Sequence, residues 1–288
     1  MDNGKGYAGA LRRLWQAPVM AAGRAALRRF DSNHGFIRAS HVAMSIMLAL
    51  FPFVLFVVAL AGVLAPQMES DDLVALLFRT WPQDIAAPLA REIRAVLEAS
   101  SLGLMTIGGA LALWFSSNGV DAVRVALSLA YRDSDPRPFW ITRPLCVAFV
   151  LIGGAALLAG LTVNVGLPAY FSFFAEAMPE PLAGWVENTA LQWAVTLGVL
   201  LAGVAACHIW LPGTPHGMRD IWPGVVLTVG LWIGAVRGFG YYLAKFADYS
   251  ATYAGLAGAM AGLIFLYLMA VILILGAEFN GALIRRRG

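Results

Sequence analysis

Charge is scarce in this chain: Asp, Glu, Lys and Arg make up 13% of its 288 residues, about half the share usual in soluble domains. No segment outside its apolar runs could bury a core of its own, which leaves one membrane domain. Cysteine is nearly absent. Cys146 and Cys207 lie in or beside apolar runs, where a thiol packs as a small hydrophobe, so no disulfide framework is expected. Histidine is scarce. His34, His41, His208 and His216 form no two-histidine, one-acid set at ligand spacing, and the neighbours Cys207 and His208 stand alone. No metal site follows from them. A phosphate-binding loop ending in Lys-Ser or Lys-Thr is missing, which argues against ATP-driven pumping by this chain alone. A Gly-x-Ser-x-Gly elbow is missing too. Neither an enzyme nor a cofactor is expected.

Long apolar runs take the place of charge. Residues 40–64, 102–120, 144–175, 188–218 and 249–277 contain no Asp, Glu, Lys or Arg, and 221–244 contain one, Arg237. A membrane-spanning helix needs about 20 apolar residues, because each adds about 1.5 Å across a hydrocarbon core about 30 Å thick. The pattern predicts an all-α integral membrane protein with six transmembrane helices. They fall at about residues 40–65, 102–130, 142–170, 187–211, 221–246 and 251–281. A basic arm (1–38) precedes the membrane domain (39–284), and a basic tail (285–288) follows it. The first apolar run is too long for a cleavable signal and reads as an uncleaved signal-anchor.

The basic side chains alternate between loops. Seven lie before the first span: Lys5, Arg12, Arg13, Arg24, Arg28, Arg29 and Arg38. The next loop, residues 65–101, holds three arginines against six acids. Arg132, Arg137 and Arg143 follow the second span, acids alone follow the third, and the chain closes on Arg285, Arg286 and Arg287. Positive-inside logic places both termini in the cytoplasm. Two further segments read as amphipathic helices on the membrane surface. In 11–30, five arginines mix with Leu11, Leu14, Trp15, Val19, Leu27 and Phe30, which suits an anionic leaflet; a disordered arm is the alternative. In the outer loop, Leu89, Ile93, Val96 and Leu97 recur at helical spacing.

A set of short motifs recurs in a specific order. Residues 45–52 read Ser-Ile-Met-Leu-Ala-Leu-Phe-Pro. Asn118-Gly-Val-Asp121 precedes Ala130-Tyr-Arg132 and Arg137-Pro-Phe-Trp140. Leu211-Pro212, Trp222-Pro-Gly224, Trp232, Tyr249 and Tyr253-Ala-Gly255 follow, then Phe265-Leu-Tyr267 and Leu275-Gly-Ala-Glu-Phe-Asn280. Over about residues 25–284 the chain resembles the YihY/BrkB family of bacterial membrane proteins. It departs at Tyr253-Ala254-Gly255, where the family pattern has Tyr directly before Gly. The resemblance implies six transmembrane helices in the bacterial cytoplasmic (inner) membrane. It supplies no agreed activity. Some members have carried a ribonuclease BN label, one is associated with serum resistance, and others are linked to lipid or envelope export. It carries over no catalytic residue.

Ionisable residues inside spans are costly and mark candidate sites. Asp121 and Arg124 share a helix face about 28 Å below Leu102. Glu278 lies about 39 Å along the last span from Thr252, at a similar depth, with Asn280 beside it. These four can gather at the inner boundary, either as a structural ion pair or as headgroup contacts. Arg237 lies about 24 Å along its span from Ile221, in the outer half, where no acid on that span shares its depth. It can snorkel outward or meet an anionic ligand. Gly230, Gly234 and Gly238, with Gly255, Gly258 and Gly262, have the small-residue spacing that lets helices approach, for packing or for gliding. Tryptophans and tyrosines near the span ends read as an aromatic belt rather than a base-stacking surface. The expected function is transport or translocation of an anionic amphipathic substrate, a lipid or envelope precursor. The alternative is a non-transporting membrane scaffold or envelope assembly factor. Membrane lipids are the expected partners, nucleic acid is not, and the sequence leaves the oligomeric state open.

Overall fold

The computed structural model describes residues 18–64, 102–132, 135–161, 189–214, 216–246 and 254–287, with Val74, Ala90 and Arg91. Of the outer-loop helix expected around residues 89–97, Ala90 and Arg91 are described and are helical; the rest of it and the arm before residue 18 lie outside the described residues. All the described elements are helical. They are α1 (Pro18–Ser32), α2 (Gly35–Leu64), α3 (Leu102–Tyr131), α4 (Phe139–Leu161), α5 (Thr189–Trp210), α6 (Met218–Phe246) and α7 (Ala254–Arg287).

Among the described residues, five stretches are long and apolar enough to cross a membrane: Gly35–Val58, Phe139–Gly160, Trp193–Trp210, Met218–Leu243 and Gly258–Arg286. The second expected span corresponds to α3. It is a continuous helix of 30 residues, but Ser116, Ser117, Asn118, Asp121 and Arg124 dilute its apolar character, and it is not among the five. The outward-facing side chains of these helices are large and apolar. Ile37, Leu48, Trp140, Ile152, Trp193 and Met260 are all exposed, which suits a hydrocarbon solvent rather than water.

α1 and α2 meet at a tight corner. His34 has φ of 53°, an uncommon left-handed conformation for a non-glycine residue. Gly35 follows, where a Cβ would strike the Phe30 ring at 2.5 Å. The buried face of α1, Ala22 and Ala26, packs on Phe279 and Ala282 of α7. The basic helix thus spends its small apolar face on the bundle, while Met20, Leu27 and Arg28 remain exposed.

α2 and α3 run antiparallel. Arg38 donates to the Ala126 carbonyl at one end, and Gly119 sits against Ala49 and Ile46 further along. α7 contacts α1, α2, α3 and α6. Its contact with α6 is backbone to backbone: a Cβ on Gly224 would strike the Gly276 carbonyl, and one on Gly276 would strike the Thr228 hydroxyl. α7 continues through Arg285, Arg286 and Arg287, placing the basic tail in its last turn, where cations oppose the helix dipole.

Candidate functional site

Polar side chains concentrate where α1, the end of α3, the start of α6 and the end of α7 come together. Glu278 is fully buried. Its Oε2 accepts from Arg29 Nε at 3.3 Å, and its Oε1 accepts from Asn33 Nδ2 at 2.9 Å and from an Arg38 terminal nitrogen at 3.2 Å. A buried carboxylate is stable only with such charged donors around it. All three come from the N-terminal segment, so Glu278 ties the two ends of the chain together.

Asn280 builds a second, separate network. Pro223 lacks an N–H and disturbs the first turns of α6. Asn280 Oδ1 accepts from the next amide, Gly224 N–H, at 2.6 Å, and its Nδ2 donates to the Ile221 carbonyl at 2.8 Å. The same nitrogen donates to the Tyr131 hydroxyl at 3.0 Å. Tyr131 therefore has its own proton to give to His208 Nδ1, 2.6 Å away. That assigns the His208 proton to Nε2, which is buried without a partner among the described residues.

Asp121 and Arg124 belong to a third group. Arg124 donates to Asp121 at 2.8 Å and to Asp135 at 2.5 Å. Arg137 donates to both Asp135 oxygens and to the Trp210 and Leu211 carbonyls. The expected gathering of Asp121, Arg124, Glu278 and Asn280 into one cluster is thus replaced by three networks. No hydrogen bond or ion pair joins Asp121 or Arg124 to Glu278 or Asn280 among the described residues. Each group is satisfied by a different segment: Glu278 by α1 and the start of α2, Asn280 by the start of α6 and Tyr131, and Arg124 by Asp121 and Asp135.

The Arg137 side chain and its N–H, with Arg124, hold the Asp135 carboxyl at about 2, below its usual range near 4. A lowered pKa means that Asp135 contributes stability above about pH 4, lost as pH falls through about 2. Asp135→Asn is expected to lower the melting temperature at pH 7 and to flatten its decline between pH 4 and 2. Thermal unfolding in detergent across that range checks it.

Arg237 lies on α6 about 20 Å along the helix from Gly224. Its side chain is exposed, inside the apolar stretch Met218–Leu243, and no ion pair to it occurs among the described residues. At Gly230, Gly234, Gly238 and Gly262 a Cβ would meet nothing within 4 Å among the described residues, so no close helix approach is seen at them there. Gly258 is partly buried, and the surroundings of Gly255 lie outside the described residues. The close approaches use Gly224, Gly276 and Gly281 instead, the last with its Cβ position 2.7 Å from the Ala130 carbonyl.

Arg143, counted among the loop charges in the sequence, lies within α4 and is 7% exposed. Its terminal nitrogens donate to Asn118 Oδ1 at 2.8 Å and to the Trp114 carbonyl at 2.7 Å. Its guanidinium carbon stands 4.1 Å from the Trp114 ring centroid. The signal that could have placed it is Pro144, which a helix tolerates in its first turn and which therefore puts the helix start upstream. Among the described residues, no group of three or more His, Cys, Asp and Glu side chains could hold a metal ion.

A multi-pass helical membrane protein with a tightly tied basic end is the class this architecture defines. Residues 26–288 match the family model described as Virulence factor BrkB, and the chain belongs to that family. A ribonuclease-like protein by name, YfkH of Bacillus subtilis, is 29% identical over 266 residues, covering 90% of this chain and 94% of its own length. The membrane protein RSc1559 of Ralstonia nicotianae is 27% identical over 281 residues, covering 94% of this chain and 60% of its own length. XAC0937 of Xanthomonas axonopodis pv. citri is 26% identical over 271 residues, with coverages of 93% and 62%. The chain thus spans about three fifths of these two membrane proteins, both named as UPF0761. No solved structure matches.

Proposed function

We propose that this chain is a six-span protein of the bacterial inner membrane, both termini cytoplasmic, that translocates an anionic amphipathic substrate, a lipid or envelope precursor. The observation that carries the reading is Arg237, an exposed guanidinium inside an apolar stretch of α6. A cation in that position costs about 2.5–3.5 kcal/mol on insertion scales. A lipid phosphate or carboxylate at the same depth offsets that cost. Among the described residues no acid is ion-paired with Arg237, and Glu278, Asp121 and Asp135 are each bonded to another arginine. Tyr241 and Tyr242, one turn beyond Arg237, are exposed as well and suit the headgroup boundary.

The experiment is movement of fluorescent phosphatidylglycerol across vesicles that hold the purified chain, read by quenching of the outer leaflet. Arg237→Gln is expected to slow it about tenfold or more, the equivalent of one charge-assisted hydrogen bond. Arg237→Lys is expected to keep part of the rate. A scaffold without transport is the second reading, favoured by the number of charges tied into internal networks. It requires no movement of labelled lipid by wild type and no effect of either substitution.

A further inference from the structure

We propose that Arg143 is an oxyanion-binding site, and that it takes the phosphate or carboxylate headgroup of an amphipath whose hydrocarbon lies in the neighbouring cavity between α2, α3 and α4. The inference rests on the reading of an anionic amphipathic ligand, though not on its transport. The first observation is charge. Arg143 is buried, and no acidic side chain among the described residues lies within ion-pairing distance of it. Its two hydrogen-bond acceptors, Asn118 Oδ1 and the Trp114 carbonyl, are neutral. Asp121, one turn from Asn118, is bonded to Arg124, and Asp135 to Arg124 and Arg137. Arg124 and Arg137 thus hold both carboxylates, and the buried Arg143 bonds to neither.

The second observation is an unused donor. A guanidinium has five N–H groups in a planar fork that matches a phosphate or carboxylate. Arg143 Nε is buried without a partner among the described residues. A buried cation missing both a counter-ion and a donor's partner is a costly arrangement in the absence of a ligand. Trp114 and Asn118, which hold the guanidinium, are themselves exposed, so the cradle lies at the surface of the bundle.

The third observation concerns the tail. Val150 is seven residues on from Arg143 and so on the same face of α4, about 10 Å away along the axis. It lines an apolar cavity of about 250 Å³, with Phe149, Gly153, Leu50, Phe53 and Gly119. A cation about two turns from an apolar void is the spacing of headgroup and acyl chain in one amphipath. The buried Arg143 should hold its ligand through purification. The exposed Arg237 should exchange with bulk lipid.

The test adds phosphatidylglycerol, with phosphatidylcholine as control, to delipidated full-length protein and counts retained lipids by native mass spectrometry. Wild type is expected to retain one phosphatidylglycerol. Arg143→Gln is expected to bind it at least tenfold more weakly, while Arg286→Gln, at an exposed position in the last turn of α7, keeps it. Should Arg143→Gln not fold, Leu50→Trp leaves the guanidinium in place, fills the cavity and is expected to expel the lipid. Equal retention by wild type and Arg143→Gln, or no retention by wild type, overturns the proposal. Displacement of the lipid by millimolar inorganic phosphate, with Leu50→Trp unaffected, overturns the amphipath assignment in favour of a free anion. Loss of lipid movement in vesicles with retention intact counts against transport alone, so the two readings fail separately.

Discussion

Glu278→Ala is expected to destabilise the protein by about 3–5 kcal/mol, the usual cost of removing one partner from a buried ion pair. The loss is unequal among its three partners. Arg29 is 34% exposed and can turn to water or to lipid headgroups. Arg38 is 11% exposed, and its Nε already lacks a partner among the described residues. Among the described residues it keeps only the Ala126 carbonyl when the carboxylate is gone. The expected readout is therefore local as well as global. The melting temperature in detergent falls, and α1 is cut from the bundle by limited proteolysis near the His34 corner before the rest unfolds. Glu278→Gln should be intermediate, because the amide oxygen still accepts from Asn33 while the charge is lost. Arg38→Met in the Glu278→Ala background should recover part of the stability, since the orphaned cation is then removed. Unchanged melting in Glu278→Ala would mean that the pair contributes nothing net.

Alanine at Gly276 is expected to cost about 3 kcal/mol or more, the upper range for forcing atoms into a filled contact. Its Cβ would land on the Thr228 hydroxyl and 2.9 Å from the Gly224 carbonyl. Gly224→Ala should be at least as severe, because the obstacle there is the Gly276 carbonyl and the Asn280 amide. A partner substitution separates the two cases. Thr228→Ala should rescue Gly276→Ala in part, as it removes the side-chain obstacle. It should leave Gly224→Ala unimproved, because backbone cannot withdraw. Gly230→Ala, Gly234→Ala and Gly238→Ala meet open space and should melt at or slightly above the wild-type temperature, as alanine favours helix over glycine. Melting followed by fluorescence-detected gel filtration reads all of these variants. Equal damage at Gly234 and Gly276 would contradict the contact assignment.

The same glycines mark what was legible in the sequence. Spacing of four states that a backbone can be approached from one side. It does not state that a neighbour is there, and α6 makes its close contact at Gly224, outside the repeat. The apolar runs announced the helices because hydrocarbon length fixes how long a run must be. Polar residues in α3 blurred one of them. Glu278 and Asn280 were visible as expensive residues, but their partners were not. Arg29, Asn33 and Arg38 are 240 or more residues away in sequence, and a local pattern carries no sign of such a contact. Arg143 went unnoticed for a different reason. The charge-free run begins at Pro144, whereas α4 begins at Phe139, so Arg143, counted with the loop charges, lies inside the helix.

The most direct measurement of whether this protein recognises an anionic amphipath is mass spectrometry of the lipids that remain on it after gentle purification from its own membrane. The expected result is one anionic class enriched several-fold over its share of the bulk membrane. Retained lipids that mirror the bulk composition would contradict the account.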